Sequence, residues 1–77
     1  MKKEGVAAIV VGHTGVDKKI VNNVIDAFCG TVKQTLADGE DVYIPYFGRF
    51  TRVNGNGVPI FQPVKSFKEL CQSKNQK

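Results

Sequence analysis

Cysteine, histidine and long apolar runs are all scarce in this sequence, and each scarcity excludes a class of protein. Two cysteines, Cys29 and Cys71, lie outside CxxC spacing and are too few for a disulfide framework. One histidine, His13, with no cysteine cluster around it leaves no structural zinc site. The longest apolar stretch, Val6 to Val11, falls far short of the ~20 residues of a membrane span and carries no signal-peptide cleavage pattern. Free cysteines without an export signal place the chain in a reducing cytoplasm. The glycines form neither GxGxxG nor a phosphate loop. The acids Asp38, Glu40 and Asp41 cluster at one turn with no histidine or nucleophile to work with them. No enzyme chemistry and no cofactor are expected.

What is present is a 77-residue chain of 8.4 kDa with 42% apolar residues, enough for one globular domain spanning 1–77. A chain this short buries only roughly 60% of its unfolded surface, and a lone core of this size supplies at most a few kcal/mol. With staples and metal excluded, oligomerisation is the expected source of further stability. The net charge of +4 is unevenly spread. Residues 1–48 carry five lysines against six acids, whereas residues 49–77 carry six basic side chains against Glu69 alone. A basic C-terminal third suits a polyanionic partner.

Periodicity outlines the elements. Residues 3–12 read as a short helix, followed by a turn at Gly12-His13-Thr14-Gly15. Asp17 can cap a second helix, whose apolar positions Val16, Ile20, Val21, Val24, Ile25, Phe28, Val32 and Leu36 form a wide stripe. That stripe exceeds what one short neighbour can cover, which again points to a partner chain. Cys29 falls inside it and is expected to be a buried small hydrophobe; Cys71 is expected to pack on the last helix. The helix stops at Asp38-Gly39, and the period then changes to 2. Strands are expected at Val42 to Ile44, Phe50 to Val53 and Val58 to Phe61, the last at an edge because of Pro59. Pro45-Tyr46-Phe47-Gly48 reads as one turn and Asn54-Gly55-Asn56-Gly57 as a hairpin. Ser66-Phe67-Lys68-Glu69 has the form of a capping box opening a short C-terminal helix, with a frayed tail from Ser73. The order is that of a small α+β unit.

Three segments, in order, carry a resemblance. The run Gly39-Glu40-Asp41-Val42-Tyr43-Ile44-Pro45-Tyr46-Phe47-Gly48-Arg49-Phe50 resembles the signature of the HU/IHF family of bacterial DNA-bending proteins. Thr14 to Lys19 is similar to that family's turn between its first two helices, and Val58 to Lys68 to its V-P-x-F-x-P-G-K-x-L-K segment. The resemblance implies an intertwined dimer, with two helices per chain below a saddle of strands. It sets Phe47, Phe50 and Phe61 at aromatic positions that fill the dimer core, with Phe28 on the apolar stripe joining them. It also sets Lys3, Lys65 and Lys68 at basic positions that meet phosphate.

Two departures qualify what the resemblance carries. The family extends a long basic β-ribbon arm whose tip proline wedges into the minor groove. This chain has only the short turn at 54–57 there. Tyr46 stands where the family has glycine, and Arg49 replaces a small residue and could restore a phosphate contact. The expected function is therefore an armless, HU-like homodimer of the nucleoid that binds duplex DNA weakly and without sequence preference, through Lys3, Arg49, Lys65 and Lys68. The alternative is a protein-interaction module that forms a heterodimer with a full-length HU-type chain and antagonises it.

Overall fold

In the computed structural model, which describes residues 1–55 and 57–74, local chemistry accounts for most element boundaries. The order is α1 (Lys3–Thr14), α2 (Lys18–Ala37), β1 (Val42–Ile44), β2 (Gly48–Arg52), a 3₁₀ turn (Val53–Gly55), β3 (Pro59–Pro63) and α3 (Lys65–Lys74). Two N-terminal helices, a three-stranded antiparallel sheet and a C-terminal helix are the expected α+β architecture. The chain divides into two compact units, Met1–Thr31 and Val32–Lys77.

In the first unit, α1 runs two residues past its expected end. Gly12 and His13 lie inside the helix, and the terminator is Gly15, whose φ of 70° is left-handed and whose N–H donates to the Val11 carbonyl at 2.8 Å. The Thr14 hydroxyl satisfies the Val10 carbonyl at 2.7 Å. Asp17 caps α2 as expected: its carboxylate accepts the Lys19 N–H at 3.0 Å, and its carbonyl accepts the Val21 N–H. Ala7 and Val21 are buried. Much of the stripe is not: Val24 is 61% exposed and Phe28 45%. Cys29 is exposed rather than buried, because α1 alone does not cover so wide a stripe.

In the second unit, α2 ends in a Schellman motif. The Glu40 N–H reaches the Thr35 carbonyl at 3.1 Å and the Gly39 N–H reaches that of Leu36 at 3.0 Å, with Gly39 at φ 91°. The sheet order is β1-β2-β3, both pairs antiparallel, with Val42 opposite Phe50 and Phe50 opposite Phe61. The edge position of β3 accommodates both Pro59 and Pro63.

Three boundaries here differ from expectation. First, β2 begins at Gly48, not Phe50, and ends at Arg52, so the turn is only Pro45 to Phe47. A Cβ on Gly48 would meet the Gln62 carbonyl and the Phe61 ring at 2.6 Å, so glycine is what lets β3 close on β2 there. Second, β3 is shifted to Pro59–Pro63. Its link to β2 turns through Asn54 at φ 57°, with the Val53 N–H donating to the Val58 carbonyl and the Gly57 N–H to that of Val53. Asn56, the third residue of the expected hairpin, lies outside the described residues, as do residues 75–77 of the expected tail. Third, α3 starts at Lys65, so Ser66 sits within its first turn and is not the cap. Val64 holds the cap position, donating its N–H to Phe47 and accepting from Lys68 at its carbonyl. Ser73 is helical, its hydroxyl donating to the Leu70 carbonyl.

Leu36 is buried, and a four-ring cluster fills the same unit. Phe47 lies 5.0 Å from Phe61 and 6.2 Å from Phe50 between ring centroids, and Phe50 lies 4.9 Å from Phe61. Phe67, which the expected core omitted, stacks on Phe47 at 5.5 Å with planes 16° apart. Cys71 borders Phe61, Pro63 and Phe67 but stays exposed, so it is not the packing residue expected.

Tyr46 is the strained position of the unit. The Phe47 N–H donates to the Ile44 carbonyl at 3.1 Å, which places Pro45 and Tyr46 at the centre of a β-turn. Tyr46 takes φ 67°, the positive angle a type II turn requires and glycine supplies without cost. An L-residue in the left-handed region costs roughly 1–2 kcal/mol. Tyr46→Gly is therefore expected to raise stability by about 1 kcal/mol, or about 4–8 °C in Tm for a domain of this size. A lower Tm in thermal unfolding would show that the ring contributes packing greater than the strain.

Candidate nucleic-acid interface

Side-chain alternation sorts the sheet into two faces. Val42, Ile44, Phe50 and Phe61 share the face that carries the aromatic cluster, and Arg52 lies on that face near Leu36. On the opposite face, Tyr43, Arg49 and Gln62 are register partners and form one exposed row across all three strands. No acid stands in that row. Thr51, on the same face, donates its hydroxyl to Asp41 at 2.7 Å, which ties that carboxylate to the strand.

Lys65 and Lys68 lie in the first turn of α3, both exposed. Lys65 meets Glu69 at 3.9 Å, an exposed i,i+4 pair of little strength that leaves the ammonium open to other anions. Among the described residues, Arg49 and Lys68 have no ion pair. Arg49, Lys65 and Lys68 thus belong to one unit. Arg52 is a further cation of the unit that composition had shown, but half its surface is covered beside Leu36 and Phe50.

Lys3 lies in the other unit. Its Nζ contacts the Asp26 carboxylate at 3.0 Å. The hydrogen bond to Asp26, and then that carboxylate's charge, raises the Lys3 ammonium above the ordinary 10.5. Lys3 is thus charged at any physiological pH. The pair's contribution is present below the ordinary lysine value and is lost as pH rises through the raised one. Of the four expected contact residues, Lys3 is the one whose charge is already matched locally.

These side chains bind anions; they do not assemble chemistry. Among the described residues, no group of three or more His, Cys, Asp or Glu could hold a metal ion, and no helix is long and apolar enough to cross a membrane. His13 is exposed in the last turn of α1.

The missed residue, Phe67, had a legible signal: it precedes Leu70 and Cys71 by three and four positions, the spacing of one helix face.

Comparison with known proteins agrees with this geometry. Residues 1–57 match the family model described as bacterial DNA-binding protein. No curated protein sequence matches the chain. Among solved structures, a mutant HU from Thermotoga maritima is similar at 34% identity and a TM-score of 0.86, over 92% of this chain and 99% of that one. HU from Thermotoga maritima is similar at 35% identity and a TM-score of 0.82, over 92% and 98%. An HU from Anabaena, cocrystallised with DNA, is similar at 25% identity and a TM-score of 0.82, over 92% and 97%.

Proposed function

Because this chain belongs to the bacterial DNA-binding protein family, we propose that it is an HU-like, nucleoid-associated protein that binds duplex DNA as a homodimer through phosphate contacts on its body. Lys3, Arg49, Lys65 and Lys68 are the contact residues, each displayed twice by a dimer. The observation that carries the reading is the exposed, unit-forming set of Arg49, Lys65 and Lys68 on a chain similar over nearly its whole length to HU structures, one of them a DNA cocrystal.

Homodimerisation rests on what one chain leaves uncovered. Its buried apolar residues are Ala7, Val21 and Leu36, none of them aromatic, while Phe28 and Phe47 stay 45% and 40% exposed. A second copy would cover Phe28, Phe47, Phe50 and Phe61 as a shared core of the 1–77 domain. The armless reading rests on the short link between β2 and β3, which turns within residues 53–58. Without a ribbon or a proline wedge the protein would not reach base edges or bend the duplex sharply.

Affinity is expected in the non-specific range of roughly 10⁻⁴ to 10⁻⁶ M at physiological salt, nearly equal for duplexes of unrelated sequence. Anisotropy titrations of two such duplexes check this. Nanomolar binding to one of them would refute it. No binding even at low salt would transfer support to the heterodimer with an HU-type chain.

A further inference from the structure

Tyr46 has no part in the duplex contacts just described, and three features set it apart. Its ring is the most exposed of the large apolar side chains, at 90%. It is held at a backbone angle that favours glycine. Its frame is rigid: Pro45 precedes it, the Phe47 N–H closes the turn on Ile44, and the Phe47 carbonyl accepts the Val64 N–H at the start of α3. An aromatic ring presented on such a frame loses little conformational freedom on binding.

Tyr46 also shares a groove with Ser66, the sequence neighbour of Lys65, whose side chain is 88% exposed. The ring stands at the rim of that groove rather than filling it. An open aromatic face with a cation nearby matches a base attached to its phosphate. Paired bases keep their faces stacked on one another, so only an unpaired base offers a face to such a ring. The positive charge of the surrounding cations favours this polyanion over an uncharged apolar partner.

We propose that Tyr46, with Lys65 for the adjoining phosphate, is a stacking site for an unpaired base, so that the protein binds single-stranded DNA through a residue that duplex binding does not use. This rests on the DNA-binding reading and adds a second class of nucleic-acid substrate to it.

The test is a pair of anisotropy titrations, one with a single-stranded oligonucleotide and one with its duplex, for the wild-type protein, Tyr46→Gly and Tyr46→Phe. Stacking of one base supports a loss of about tenfold in single-strand affinity for Tyr46→Gly. Its duplex affinity should stay within about twofold. Tyr46→Phe keeps the ring and should bind both as wild type does, and a 2-aminopurine in the single strand should be quenched by wild type and Tyr46→Phe but not by Tyr46→Gly. Because glycine suits the turn, a failure to fold does not obscure the result. Unchanged single-strand binding by Tyr46→Gly, with duplex binding intact, overturns this proposal alone. Absence of binding to either DNA by the wild type overturns the DNA-binding reading and this proposal together.

Discussion

Phe47→Ala is expected to cost about 3–5 kcal/mol and to leave little cooperatively folded protein at micromolar concentration. Within one chain Phe47 contacts Phe50, Phe61 and Phe67 but keeps 40% of its surface exposed. Full burial of a phenylalanine side chain contributes about 1.5–3 kcal/mol by transfer, and an unfilled cavity adds to the loss. Only if a second copy covers the exposed part does the larger figure apply. A domain of this size has at most a few kcal/mol from a lone core, so the variant should lose its dimer and its fold together. Denaturant unfolding with sedimentation at several concentrations measures both. A cooperatively folded monomer, destabilised by only about 1–2 kcal/mol, would contradict the shared core.

The second large effect concerns DNA. Changing Lys65 and Lys68 together to alanine should weaken duplex binding evenly across sequences and flatten its dependence on salt. Each lysine that neutralises a phosphate releases a condensed counterion, so the slope of log K against log salt should shrink by about 0.9 for each contact removed. Lys65 is held only by a 3.9 Å exposed pair with Glu69 and Lys68 by no ion pair among the described residues, so neither must give up a strong partner to meet DNA. Lys3 differs, because its 3.0 Å contact with Asp26 competes with phosphate. A double variant with the wild-type slope would remove α3 from the interface.

Features set by short-range chemistry were legible in the sequence. The Asp17 cap and the Asp38-Gly39 end of α2 depend on a few neighbouring atoms, and both formed where those residue types predict. Features set across the sheet were not. Gly48 reads as a turn residue, yet its role is to let the Phe61 ring and the Gln62 backbone approach β2. The Ser66-to-Glu69 box is a valid local start signal, but the Val64 tie to Phe47 begins the helix earlier. Cys29 followed the stripe in spacing while the cover over that stripe is absent from a single chain. The site divides in the same way: Arg49, Lys65 and Lys68 are visible as charge, whereas the Asp26 partner of Lys3 lies 23 positions away and only folding brings it near.

The most direct measurement is the slope of log K against log salt for the wild-type protein on a duplex of arbitrary sequence. The account predicts micromolar or weaker binding at physiological salt. The slope should be several multiples of about −0.9, one for each phosphate that Lys3, Arg49, Lys65 and Lys68 neutralise. A slope near zero, or nanomolar binding that persists at high salt, would contradict it.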